Sequence, residues 1–380
     1  MNTTEKYIYL TACAATGKTA ELDSADFDVL WDLSRSHNMT ALTAKGLMST
    51  EAFKNADEAE QKRWKNALNN SVKKTMLFDA EQKQILKAFE DNGIWYLPLK
   101  GAILNGFYKS YGSREFADND ILVDPGRTKD AKQIMLERGY VFRSDEFSSD
   151  EYSKPPIYNF EIHRSLVEEI VQFEKVFDYY RDVKSRLVKD EGNLYGYSFT
   201  DDDFYIFLVF HAFKHYEVRG TGYRTIADEY VALHSGKLRL DFDYITGELE
   251  KMGIREFEEK LRSLSEKLYT QPEMISESIK QLNSGELEML RFIMSCTTFG
   301  KLSNLIKRDL ESLSDGKKPA KGKYILKRIF PERSRFKYSN PFVYKHKIVY
   351  PFFLIYRLVA NPIRHRRYLK QEIKAVKNIK

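Results

Sequence analysis

The spacing of apolar positions divides the chain into stretches of different period. Over the first ninety residues it is helical. Phe27, Leu30, Trp31 and Leu33 group together, Trp64, Leu68, Val72 and Met76 recur every four residues, and Ile85, Leu86 and Phe89 follow, with polar residues opposite. Gly93 stands where a glycine closes a helix. Short β-branched and aromatic runs come next. Residues 94–99 (IWYLPL), 119–123 (NDILV), 140–143 and 157–163 (IYNFEIH) are predicted strands. Between them fall helices over 102–108 and 130–138, a turn at Pro125-Gly126 and a closing Gly139. Strand and helix alternate here as in an α/β unit. From residue 201 the helical period returns. Phe204, Phe207, Leu208, His211 and His215 share one helix, 226–233 form another, and 255–268, 272–282 and 285–296 are three more. Residues 313–323 (LSDGKKPAKGK) read as a polar linker. The predicted fold class is α+β: an N-terminal helical segment (1–92), a small mixed β-sheet core (93–200), a helical domain (201–312) and a C-terminal tail (313–380).

Composition supports folded cores, since 42% of the 380 residues are hydrophobic and 14% aromatic. Charge changes the picture more. The net +6 is unevenly spread: residues 301–380 carry 22 Lys/Arg against 5 Asp/Glu, net +17, which leaves 39 basic and 50 acidic groups, net −11, in residues 1–300. An acidic body with a basic tail suggests a polyanionic partner, an anionic membrane surface or the body itself as the tail's target. Cys13 and Cys296 have no CxxC or Cys/His spacing, which argues against a disulfide framework or zinc module and suits a reducing cytoplasm. MNTTEKYIYL lacks the pattern of a signal peptide. Residues 348–360 (IVYPFFLIYRLVA) are interrupted by Pro351 and Arg357 and fall short of the roughly 20 residues a spanning helix needs, so no transmembrane segment is expected. The tail interleaves cations with Phe330, Phe336, Tyr338, Phe342, Tyr344, Tyr350, Phe352, Phe353 and Tyr356, and Arg364, His365, Arg366 and Arg367 head a final amphipathic helix. Docking of these aromatics on the acidic body is expected first, contact with a membrane surface second, and single-stranded nucleic acid third.

The chemistry concentrates in residues 99–124, LKGAILNGFYKSYGSREFADNDILVD. Asp118 and Asp120 are two apart at the start of a strand, so both carboxylates project from one face, and Asn119 points away. Two like charges so close repel unless protonated or neutralised by cations; a divalent metal resolves the conflict, and Mg²⁺ prefers such oxygen ligands. Glu161 and His163 have the same spacing on another strand, and if the strands are neighbours Glu161 completes a three-carboxylate cluster suited to two-metal phosphoryl chemistry. Lys100, Gly101 and Arg114 are placed to meet the phosphates, with Gly101 allowing close backbone approach.

The ordered set LPLKG (97–101), REFADNDILV (114–123), ERGY (137–140), FEIHR (160–164) and FHAFKHYEVRGTGYRTIADEY (210–230) resembles the polymerase-beta-like nucleotidyltransferase superfamily, in its bacterial branch of uncharacterised nucleotidyltransferases. The resemblance runs over roughly residues 25–310. It implies that Asp118 and Asp120 hold two Mg²⁺ ions with Glu161 as third carboxylate, and that His211, His215, Arg224 and Asp228 belong to a helical motif beside the cleft. The superfamily's Gly-Ser pair has no clean counterpart: Gly101 precedes Ala102, and Gly112-Ser113 lies close to the aspartates.

Other features have plainer readings. His211 and His215 share a helix face, but no third ligand is evident and Lys214 adds a like charge, so a cleft-facing structural or substrate contact is expected rather than zinc. Arg224 and Asp228 can pair along a helix and set the helical domain against the sheet. ACAATGKT (12–19) lacks the first glycine of a P-loop and reads as a turn, and no nucleophile-elbow motif appears. The expected activity is Mg²⁺-dependent transfer of a nucleoside monophosphate from an NTP to a hydroxyl acceptor on a small molecule, protein or RNA. The alternative is a catalytically inactive binding module whose tail contacts a membrane or nucleic acid.

Overall fold

The computed structural model describes residues 1–145, 148–167, 173–218, 220–297, 306, 310, 314, 321–336, 340–364 and 366–378. Most of the 313–323 linker and His365 lie outside the described residues. The first helix, α1 (Thr3–Thr16), opens with a capping box between Asn2 and Glu5 and ends at Gly17, whose φ of 77° suits glycine. ACAATGKT is therefore the end of a helix and its cap. Helices α2 (Phe27–Ser36), α3 (Thr40–Leu47), α4 (Glu51–Lys54) and α5 (Glu58–Asp91) follow. The buried stripe of α5 runs Trp64, Ser71, Thr75, Phe78, Gln82, Ile85, Phe89, and Met76 is exposed. Steps of four drift off a helix face because each overshoots the 3.6-residue turn, so the true stripe mixes threes and fours and passes through polar residues.

The central segment runs β1 (Tyr96–Pro98), α6 (Lys100–Asn105), β2 (Asn119–Val123), α7 (Thr128–Glu137), β3 (Val141–Asp145), β4 (Ser149–Lys154) and β5 (Tyr158–His163). The five strands form one mixed sheet in the order β1-β2-β5-β4-β3, with β2 and β5 parallel and the other pairs antiparallel. Strand β4 was not foreseen: SDEYSK offers only Tyr152 to the core, and its alternation is otherwise polar on polar. A helix, α8 (Glu174–Tyr179), and a small hairpin of β6 (Leu187–Lys189) and β7 (Tyr197–Phe199) lead out of the sheet.

The two sheet faces differ. Tyr96, Ile121, Val123, Tyr152, Phe160 and Ile162 point one way and pack on Phe78, Ile85 and Phe89 of α5 and on Ala131, Ile134 and Met135 of α7. Leu97 and Leu122 point the other way, into a larger cluster made with the helices. Those helices are α9 (Asp201–Val218), α10 (Arg224–His234), α11 (Phe242–Met252), α12 (Arg255–Tyr269), α13 (Ile275–Lys280) and α14 (Ser284–Ser295). Residues 203–210 of α9 are all buried, as befits a helix in the middle of its layer. Helices drawn apart in sequence share this core. Tyr7 of α1 packs on Tyr223, Thr11 meets Tyr269 of α12, and Tyr7, Trp64, Leu268 and Ile293 belong to one cluster.

The tail forms α15 (Lys321–Ile329), α16 (Pro341–Lys345), α17 (Val349–Arg364) and α18 (Arg366–Asn378). Tyr324 and Arg328 of α15 both bond Glu372 of α18, and Ile306, Leu310 and Tyr324 make a separate small core. The expected docking of tail aromatics on the body is not what Phe330, Phe342, Phe352 and Tyr356 do, since these four are exposed.

One buried polar group makes stability pH-dependent. Glu229 of α10 is buried beside Tyr205, whose hydroxyl lies 2.5 Å from Glu229 Oε1 and 2.8 Å from Glu258 Oε1. Burial raises the Glu229 carboxyl from 4.5 to about 8, against the bond from Tyr205 and with help from Glu258. A carboxyl raised on folding is protonated in the native state while the unfolded chain has lost the proton, so stability falls as pH rises from about 4.5 to about 8. Glu229→Gln is expected to flatten that slope, raising the melting temperature relative to wild type at pH 8 more than at pH 5. Equal shifts at both pH values would refute it.

Candidate active site

The site is built on the sheet face opposite α5. Parallel pairing of β2 with β5 sets Asp120 level with Glu161 and Leu122 level with His163. All four point away from the apolar face, because Ile121, Phe160 and Ile162 claim it. His163 Nε2 lies 3.2 Å from Asp120 Oδ1 and 3.5 Å from Glu161 Oε2. Among the described residues, Asp120, Glu161 and His163 each offer a ligand atom within 4.8 Å of the others. Glu151 on β4 is level with Glu161 on its other side and extends the acidic row, with Ser144 donating to it at 3.1 Å. Sequence reasoning missed Glu151 along with its strand; the signal available was the alternation around Tyr152.

Strand β1 delivers the cation. Leu99 N donates to Asp120 O at 2.9 Å, which fixes the start of α6 beside the acid. Lys100 Nζ then lies 3.1 Å from Asp120 Oδ2 and 2.6 Å from His211 Nε2, and His215 Nε2 is 2.9 Å beyond. Burial raises the Asp120 carboxyl, but Lys100 and His163 outweigh it and hold the group well below the usual range. Asp118, one residue ahead of β2, goes the other way: burial and then the charge of Asp120 raise it, against Lys100 and Arg224. It does not enter the ligand-distance group among the described residues. Burial, then Lys100, lowers both histidines, His215 to about 3, so both are neutral and His211 accepts from the ammonium. A lone pair engaged with Lys100 and a charge beside it do not make a zinc site.

The segment from α6 to β2, which ends in Asp118, is pinned from several helices. Arg114 Nε and Nη2 grip Asp228 of α10 at 2.7 and 2.9 Å, and the Tyr108 hydroxyl donates to the same carboxylate at 2.7 Å. Arg224 donates to Glu115 O at 2.6 Å and lies 3.8 Å from Asp228. Glu115 accepts from Ala41 N at 3.0 Å, and Lys74 of α5 donates to Phe116 O at 2.6 Å. Arg114, expected at the phosphates, is only 4% exposed; its Nε and Nη2 go to Asp228, and its Nη1 is buried without a hydrogen-bond partner among the described residues. Its geometry is that of an internal tie. Arg224 and Asp228 do set helix α10 against this segment, through Arg114 and Glu115.

The two candidate glycines separate clearly. At Gly112, with φ 73°, a Cβ would fall 2.6 Å from Val72 Cα, and Ser113 Oγ donates to Ser110 O, so this pair serves packing against α5. At Gly101 a Cβ would meet only Asp118 O, at 4.0 Å. Among the described residues no atom demands glycine there, which leaves room beside Asp118.

Fold and site together define an α+β protein whose acidic row on a small mixed sheet faces a helical layer carrying basic and imidazole groups. The chain matches the model of an uncharacterised nucleotidyltransferase family over residues 23–270, more than half its length, and it belongs to that family. The family carries a general nucleotidyl-transfer role and with it a nucleotide substrate. Every site residue named above falls inside the matched region, and the basic tail falls outside it. No curated protein and no solved structure matches the chain.

The Arg114–Asp228 pair yields a stability test. Removing one partner of a buried pair strands the other charge, at a cost of about 3–5 kcal/mol. Asp228→Ala is expected to lower unfolding stability by about that amount in denaturant titration, while Arg114→Met with Asp228→Leu costs less than either single change. Additive losses would contradict the assignment.

Proposed function

We propose that this protein transfers a nucleoside monophosphate from an NTP to a hydroxyl acceptor, releasing pyrophosphate, with Mg²⁺ as cofactor, on a sheet of the polymerase-beta-like kind. The observation that carries the proposal is the register of Asp120 with Glu161 on parallel strands, with Asp118 two residues before Asp120. The donor set fits the ion: carboxylate oxygens on adjacent strands, with His163 Nε2 hydrogen-bonded to Asp120 and 3.5 Å from Glu161. Asp118, Asp120 and Glu161 would hold up to two Mg²⁺ ions, which when bound neutralise the triphosphate and acidify the acceptor hydroxyl.

The chain's own groups divide the remaining work. Glu161, the more exposed of the two paired carboxylates, accepts the acceptor's proton. The freed oxygen attacks the α-phosphorus, and the bond to the bridging oxygen of pyrophosphate breaks. Lys100 meets the phosphates, exchanging Asp120 for them, while neutral His211 continues to accept from its ammonium and keeps it in place. His163 orients the two carboxylates. The space at Gly101 lets a phosphate approach the backbone near Asp118. Arg114 has no phosphate role in this scheme, and with Arg224 and Asp228 it positions Asp118. A cytoplasmic setting suits two buried free cysteines.

The test is incubation with each labelled NTP, Mg²⁺ and a cell lysate, followed by identification of the labelled acceptor as small molecule, protein or RNA. Asp118→Asn with Asp120→Asn is expected to abolish labelling with the melting transition intact, and full labelling by that variant would overturn the proposal. Lys100→Met is expected to weaken NTP binding by about tenfold or more. A second reading, an inactive nucleotide-binding module, draws on Lys100, whose ammonium is paired with Asp120 at 3.1 Å. Calorimetry separates the two, because that module binds NTP equally well with and without Mg²⁺.

A further inference from the structure

The tail helix α17 has two distinct faces. Tyr350, Phe353 and Arg357 lie on one side, where both rings pack on Phe336 and the guanidinium stands 5.1 Å over the same ring. Ile348, just before the helix, with Phe352 and Ile355 at the same helical spacing, falls on the opposite side, at 83%, 69% and 61% exposure. Leu358 of α17, Ile325 and Leu326 of α15 and Ile373 of α18 are exposed as well. Monomeric proteins seldom leave so much aliphatic surface in water without a use for it. Exposed lysines accompany it: Lys345 and Lys347 before α17, Lys323 and Lys327 on α15, and Lys374 and Lys377 on α18. No helix among the described residues is long and apolar enough to cross a membrane.

We propose that this face of the tail lies in the headgroup region of an anionic bilayer, with the outward stripe of α17 among the acyl chains and the surrounding lysines against lipid phosphates. Three features select that occupant. An in-plane helix needs an apolar stripe accompanied by cations, and the exposed Lys345 and Lys347 directly adjoin the stripe of α17 in sequence. The net charge of +17 over residues 301–380 opposes a second copy seated on the same face and attracts anionic lipid. On the outward stripe of α17, Ile348 and Ile355 flank the single ring of Phe352, whereas single-stranded nucleic acid is held by successive exposed rings that stack on bases. The nucleotidyltransferase reaction is not needed for the surface to work, and its test is independent of activity.

The experiment is flotation of the full chain with vesicles of phosphatidylcholine alone or mixed with phosphatidylglycerol. Binding to the mixed vesicles, weak binding to phosphatidylcholine and partial release by high salt are expected. Phe352→Ser with Ile355→Ser is expected to weaken binding by about tenfold or more while the melting transition stays in place, because both side chains face solvent. Failure of the wild-type chain to float, or equal flotation of the variant, would overturn the proposal. So would a concentration-dependent dimer lost in the variant, or capture by single-stranded RNA in place of vesicles.

Discussion

The grip of Arg114 on Asp228 is the contact on which the site's geometry rests. Asp118 does not sit within a strand; it ends a long connection from α6, and its position is set by what holds that connection. The hold is an ion pair removed from water, with Tyr108 as a third partner on the carboxylate and Arg224 bridging to the next residue's carbonyl. Burial alone would raise the Asp228 carboxyl, and Arg114 reverses this, so each charge depends on the other. Such a pair is weak evidence for added stability, but it is stringent about geometry. It lets α10 stand against β2 in one arrangement, with the acidic row beneath it.

Much of this was legible in sequence where one physical signal dominated. Strand β2 was predicted with its observed bounds because NDILV is short, β-branched and bordered by a turn. The neighbourhood of Asp120 and Glu161 followed from their spacing on separate strands once those strands paired. Gly101 was singled out for close backbone approach, and a Cβ there would meet Asp118 O only at 4.0 Å. What escaped reading depends on partners remote in sequence. Arg114 lies four residues before Asp118, and nothing nearby discloses that Asp228 takes its Nε and Nη2. Strand β4 escaped because Tyr152 alone marks its buried side. The stripe of α5 was misjudged at Met76 because a strict four-residue step departs from a straight helix.

The acidic face of the sheet is resolved by its neighbours in two ways. Asp120 keeps its charge because Lys100 and His163 are beside it, and Asp118, buried next to the Asp120 charge, is pushed toward its neutral form. Two carboxylates of one motif thus differ in electrostatic state before any substrate arrives. Lys100 is the hinge of this arrangement, with a carboxylate on one side and a neutral imidazole on the other. A phosphate that takes the place of the carboxylate leaves the bond to His211 standing.

The burial of the first helix has a consequence for biosynthesis. Residues 7–15 of α1 are all buried, yet Thr11 meets Tyr269 across 258 positions and Lys18 reaches Thr270 and Glu273. Helix α1 therefore waits for α12, synthesised long after it, before its contacts are complete, and the tie at Asp228 closes in the same late interval. Until then α1 presents an apolar surface to its surroundings, the condition in which nascent chains recruit chaperones. A deletion that takes in α12 removes the partner of α1 as well as its own residues, so a change in one helix is felt 258 positions earlier in the chain.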